Sequence, residues 1–155
     1  AEEMHRKALA LNEELGRKEG MAVNYGNLGN VYQRRGDLNQ AEAMYRKALG
    51  INEELGRKEG MAIQYGNLGL VYRTRGDLDE AEAMHRKSLM IEEELGSKEG
   101  MANQYGNVGN VYRTRGDLDE AEEMYRKALG LAGEVGAVPQ VKHLQGVLDA
   151  LEGER

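Results

Sequence analysis

The chain has 155 residues, a net charge of −6, 21 glycines, one proline and no cysteine. The acidic balance argues against a nucleic-acid partner, which calls for a basic face to displace counterions from phosphate. Without thiols there is no disulfide framework and no thiolate metal centre, which fits a reducing, cytoplasmic setting. No apolar run approaches the roughly 18 residues of a membrane span, and no signal-peptide pattern opens the sequence, so no membrane partner is expected.

One phrase orders the rest. Tyr65-Gly66-Asn67-Leu68-Gly69-Leu70-Val71-Tyr72 has counterparts starting at Tyr25 and Tyr105, a spacing of 40 residues each time. A fixed period in this range marks a stacked repeat, so the fold expected is all-α, an α-solenoid of antiparallel helix pairs. The units 41–80 and 81–120 differ at only eight positions, which points to recent duplication. The sequence opens on Ala1 inside a repeat without an initiator methionine, the pattern expected of an excised fragment.

Taken in order, residues 1–15 form a lone B-type helix whose A-type partner is missing, which leaves Met4 and Leu11 partly uncovered. Residues 18–55, 58–95 and 98–135 form three repeats, each an A-type helix followed by a B-type helix. In the A-type helix Met61, Tyr65, Leu68 and Tyr72 recur at helical spacing; in the B-type helix Ala41, Met44, Tyr45, Ala48 and Leu49 do the same. Gly29, Gly69 and Gly109 fall on the packed side, where a helix tolerates glycine only for close approach, since it costs about 1 kcal/mol against alanine. Asp37, Asp77 and Asp117 precede the B-type helices with Gln40, Glu80 and Glu120 three residues on, a capping-box pattern. Pairs of the Glu42–Arg46 type read as a solvated face. Residues 139–152 form a capping helix: Val141, Leu144, Leu148 and Leu151 continue the apolar stripe, while Gln145 and Glu152 replace tyrosines.

The set Tyr25, Leu28, Gly29, Tyr32, Ala41, Tyr45 and Ala48, echoed by Tyr65, Leu68, Gly69, Tyr72, Ala81, His85 and Ser88, resembles the tetratricopeptide repeat. The period is 40 where the family norm is 34, and Glu53 stands where a proline usually closes the second helix. The longer unit is similar to the repeats of Pins-type adaptors and of bacterial arrays. The resemblance implies a non-catalytic protein-interaction scaffold without cofactor, with the A-type helices on the concave side of a superhelix.

On that side the stripe opposite the packed one reads Val23, Asn27, Asn30 and Arg34, then Ile63, Asn67, Leu70 and Thr74, then Asn103, Asn107, Asn110 and Thr114. Gln33, Arg73 and Arg113 flank it, and Gly26, Gly66 and Gly106 leave the floor bare. Asn27, Asn67 and Asn107 form a ladder of amides suited to a peptide backbone. Ile63 and Leu70 offer an apolar anchor, and Arg34, Arg73 and Arg113 favour an acidic segment. Positions 63 and 70 change to Asn103 and Asn110 in the next unit, which reads as tailoring to a ligand. Against this stands the plain reading that duplication copied these residues and the amides merely solvate the face. His5 and His85 fill a B-type aromatic slot and read as packing; His143 has no metal-binding companion, and no nucleophile and base present themselves. The alternatives to peptide binding are a homo-oligomer that stacks through the uncovered N-terminal helix, and a regulatory segment of a larger protein.

Overall fold

The computed structural model describes all 155 residues as eight α-helices and no strands. They are α1 (Glu2–Glu14), α2 (Lys18–Arg35), α3 (Leu38–Leu55), α4 (Lys58–Arg75), α5 (Leu78–Leu95), α6 (Lys98–Arg115), α7 (Leu118–Glu134) and α8 (Val138–Glu152). Each packs against its neighbours in sequence, and the pairs α2–α3, α4–α5 and α6–α7 are the most extensive. The even-numbered helices, the A type, also approach one another: α4 touches α6, Gln64 of α4 lies against Gly26 of α2, and Gln104 of α6 lies against Gly66 of α4. The result is the α-solenoid that the 40-residue period calls for.

The five inner connections are two-residue turns, and those at either end, α1–α2 and α7–α8, have three residues. At Gly36 the chain takes φ +81°, the left-handed conformation open to glycine; the Gly36 N–H donates to the Gln33 carbonyl at 3.0 Å and the Asp37 N–H to that of Tyr32 at 2.9 Å. The Asp37 carbonyl then accepts the first bond of α3, from Ala41 N–H at 2.9 Å. The capping-box expectation is not met at the aspartates. Asp37, Asp77 and Asp117 stand at the helix starts with ψ near 70°, short of the extended conformation a side-chain cap needs, and none caps its helix. Ser97 caps α6 instead, accepting from the Gly100 N–H at 3.1 Å.

Within a pair, spacing is set by a glycine against a ring. A Cβ on Gly29 would lie 2.5 Å from Cε1 of Tyr45, one on Gly69 2.5 Å from Cε1 of His85, and one on Gly109 2.7 Å from Cε1 of Tyr125. No side chain fits there, so the closeness of the helices offsets the propensity cost of the glycine. The three rings are buried, as are Ala41, Ala81 and Ala121 beside them.

Between pairs, a carboxylate does the joining. Glu42 on α3 accepts the Tyr72 hydroxyl, Nη1 of Arg75 at 2.6 Å and Nε of Arg46 at 3.0 Å, so residues 30 and 33 positions later are tied back to it. Glu2 collects Tyr32, Arg35 and Arg6 in the same way, and Glu82 collects Tyr112, Arg115 and Arg86. Glu122 keeps Arg126 and Arg155, but Glu152 stands in place of the tyrosine. The i, i+4 pairs are thus more than a solvated face. Burial acts to raise the Glu42 pKa, and the bonds from Tyr72, Arg75 and Arg46 outweigh it and hold the group at about 2. Glu82 also lies at about 2, burial again opposed by its bonds from Arg115, Tyr112 and Arg86.

The two ends differ. On α1, Met4 is 73% exposed and Leu11 54%. On α8 the register positions that meet a B-type helix in α2, α4 and α6 are charged or polar: Lys142 for the alanine, Gln145 for the tyrosine and Asp149 for the close-approach glycine.

Two outcomes follow from this packing. Gly69→Leu should lose about 2 kcal/mol of stability by overpacking against His85, read as a lowered urea midpoint; an unchanged midpoint would contradict the α4–α5 spacing. Because the folded pKa values of Glu42 and Glu82 lie below the ordinary carboxylate value of 4.5, their stabilisation is complete above that value and is lost as pH falls from it towards 2. Glu42→Gln should therefore lower Tm at pH 7 and flatten the acid limb of a Tm-against-pH curve; a parallel displacement of the whole curve would contradict the clamp.

Candidate functional site

The amphipathic repeat turns one stripe of each even-numbered helix away from its B-type partner. On α2, Val23 is 55% exposed, Asn30 and Arg34 are exposed and Asn27 is half-buried. On α4, Ile63 is 58% exposed, and Asn67, Leu70 and Arg73 are half-buried. On α6, Asn103 is exposed, and Asn107, Asn110 and Arg113 are half-buried. Asn67 and Asn107 each direct Nδ2 towards the glutamine one turn before, Gln64 at 3.5 Å and Gln104 at 3.3 Å.

Several of these residues already have partners that the stripe alone does not reveal. The Tyr45 hydroxyl donates to Oδ1 of Asn30 and is also 2.7 Å from Oε1 of Gln33; the Tyr125 hydroxyl donates to Oδ1 of Asn110 at 2.6 Å. Asn103 accepts from Nε2 of Gln140 on α8 at 2.7 Å. Arg113 is paired with Glu154, and its Nε lies 2.9 Å from Oε1. Arg34 and Arg73 make no ion pair, so two of the three arginines are free. Gly26 and Gly66 are roofed by Gln64 and Gln104 and do not form a bare floor; Gly106 alone is open.

These partners supply an internal account of positions 63 and 70 beside the reading of ligand tailoring. Position 70 varies together with position 85: asparagine faces tyrosine in α2–α3 and α6–α7, whereas in α4–α5 the pair is Leu70 and His85. Histidine is shorter and donates no hydroxyl to that position, so leucine takes the place of the amide. Asn103 differs from Ile63 because it meets Gln140, where the preceding unit has Gly100. Both substitutions have causes inside the molecule.

His85 is fully buried against Gly69, with Nδ1 3.0 Å from Oε1 of Gln104 and Nε2 without a partner. Burial pushes its pKa down to about 4, against the bond from Gln104 and with the help of Arg73. It is neutral at pH 7, and its place is in the packing. Burial likewise pushes the Tyr45 hydroxyl up to about 12, which keeps it a donor.

The profile described as tetratricopeptide repeat matches residues 1–54 and 60–134. The chain belongs to the tetratricopeptide repeat family. Repeats of this family are generally protein–protein interaction modules and non-catalytic scaffolds. Among solved structures the fold is similar to BtubC (BKLC) from P. vanneervenii, with a TM-score of 0.77 at 21% identity over 99% of this chain and 72% of that one. It is similar to the apo form of RapI, with a TM-score of 0.87 at 17% identity over 99% of this chain and 43% of that one. The N-terminal domain of stress-induced protein-1 (STI-1) from C. elegans gives 0.64 at 21% identity over 83% and 98%. Such identities establish the shared fold alone. No curated protein is close enough in sequence to count as a relative. No helix is long and apolar enough to cross a membrane.

The coupled pair at positions 70 and 85 gives a double-mutant cycle. Leu70→Asn and His85→Tyr should each destabilise, and the double variant should recover about 0.5–3 kcal/mol relative to their sum. Additive losses would show that the two positions do not communicate.

Proposed function

We propose that the chain holds an extended segment of a partner protein against the even-numbered helices, in a cytoplasmic setting. The close approach of α2, α4 and α6 through Gly26 and Gly66 supports taking that layer as the inner face of the stack. The observation that carries the reading is the state of the polar groups there. Asn27, Asn67 and Asn107 are half-buried yet keep hydrogen-bonding capacity, the last two beyond a single contact each, and Arg34 and Arg73 are cations without carboxylates. An extended backbone supplies the donors and acceptors such amides lack, and acidic side chains supply the anions. The contact of Arg113 with Glu154 is an internal instance of that second pairing. Ile63 and Val23, more than half exposed, provide apolar contact between them.

A self-assembling module is the second reading, favoured by the exposed Met4 and Leu11 on α1. A head-to-tail form of it meets an obstacle. α8 would have to receive α1 as α4 receives α5, and Asp149 would then lie where glycine alone fits against the ring slot of His5. A contact of α1 with α1 avoids that obstacle.

A peptide-array screen followed by titration tests both readings. The variant carrying Asn67→Ala and Asn107→Ala should bind a selected peptide about tenfold or more weakly with an unchanged helical spectrum. Undiminished affinity would remove the amide ladder, and sedimentation showing a dimer that Met4→Lys dissolves would favour the second reading.

A further inference from the structure

Gly26, Gly66 and Gly106 occupy the same register position, and only the last is uncovered. Nε2 of Gln64 lies 3.1 Å from where a Cβ on Gly26 would stand, and Nε2 of Gln104 lies 3.1 Å from that of Gly66, but nothing comes within 4 Å of Gly106. The residue due to cover it is one period on from Gln104, and there α8 carries Leu144, which is buried. A cavity of about 140 Å³ remains between α6, α7 and α8. At roughly 30 Å³ per molecule of liquid water, that is the space of four or five waters, enough for a planar amide and an adjoining methylene.

Its walls define what it takes. The cavity is lined by Gly106, Asn107, Asn110, Tyr125, Gln140 and His143 among others, and by no Asp, Glu, Lys or Arg. A charged group entering would lose hydration and meet no counter-charge in the walls themselves: Arg113, beside the Tyr125 hydroxyl, is already paired with Glu154, and Arg73 lies beyond the lining. Asn110 uses Oδ1 on the Tyr125 hydroxyl, which leaves its NH2 to donate; Asn107 uses Nδ2 on Gln104, which leaves its carbonyl to accept. Asn103 and Gln140, bonded to each other, likewise keep an NH2 and a carbonyl oxygen, so spare donors stand beside spare acceptors, the complement of a primary carboxamide. A carboxamide is also what the chain itself places at the two equivalent positions.

We propose that this cavity is a binding site for a neutral primary carboxamide, the side chain of a glutamine or asparagine in the partner segment. The manner of its delivery rests on the inner-face reading above; the chemistry of the cavity does not.

The test is an NMR titration of the ¹⁵N-labelled chain with N-acetyl-glutamine N-methylamide, against its glutamate and norleucine counterparts. The glutamine compound should give saturable shifts at Gly106 and at the side-chain amides of Asn107 and Asn110. The other two should bind about threefold to tenfold more weakly, the worth of one net hydrogen bond. Gly106→Ala has open space for its methyl group, so the variant should fold with a raised Tm and lose the response to a similar degree. Equal, non-saturating shifts for all three compounds, or an unchanged response in Gly106→Ala, would overturn the site. The two readings fail separately: a peptide held on the inner face with no preference for glutamine or asparagine at any position sinks the carboxamide site alone. A saturable glutamine response with no peptide retained in the screen sinks the peptide-groove reading alone.

Discussion

The spacing between a glycine and a ring governs this structure. Where Gly29 meets Tyr45, Gly69 meets His85 and Gly109 meets Tyr125, the helices of a pair are too close for any other side chain on the A-type helix. That proximity brings the tip of the B-type ring through to the far side of the pair. The hydroxyls of Tyr45 and Tyr125 accordingly reach amides on the outward stripe of the A-type helices, Asn30 and Asn110. Core packing and surface polarity are therefore set by one contact.

The carboxylate clamps act along the other axis. Each ties the end of an A-type helix to the B-type helix before it, so a pair is held both by its own rings and by its neighbour's tyrosine and arginine. Stability in such an array is close to a sum over units and the interfaces between them. Glu2 gives α1 the same tie to α2 that α3 has to α4. In α8 the tyrosine is gone and the tie is reduced to Arg155.

Periodicity made the fold legible: the apolar spacing, the recurrent glycines and the 40-residue step together dictate helix pairs and their order. What escaped sequence reasoning involves partners more than a turn away. Glu42 and Arg46 look like a local pair because helical spacing reveals only neighbours, while Tyr72 and Arg75 arrive from the next unit. The aspartate caps failed because their backbone stops at ψ near 70°, whereas Ser97, in a turn of the same length, reaches ψ 94° and does cap its helix. At the candidate site, exposure of the stripe could be read from the pattern, but the engagement of Asn30, Asn103, Asn110 and Arg113 could not. The covariation of positions 70 and 85 was visible as a Leu–His pair among Asn–Tyr pairs, a signal that becomes meaningful once the ring is known to cross the pair. The opening over Gly106 was present as Leu144 in a glutamine column, and it takes the packing to show that the glutamines were lids.

Near-identical units carry a hazard during folding, since a helix has several almost equivalent mates and repeat chains are prone to misassembly. The Leu70–His85 pairing introduces a distinguishing mark. Were α4 to take α7 in place of α5, the Tyr125 hydroxyl would come up against Leu70 without its amide acceptor, an error of about 1–3 kcal/mol for a buried unsatisfied group. Were α6 to take α5, Asn110 would lose its hydroxyl donor. A single departure from uniformity in the middle of the array thus disfavours swaps that involve α4 or α5, while α3 and α7 carry the same tyrosine and remain alike by this mark.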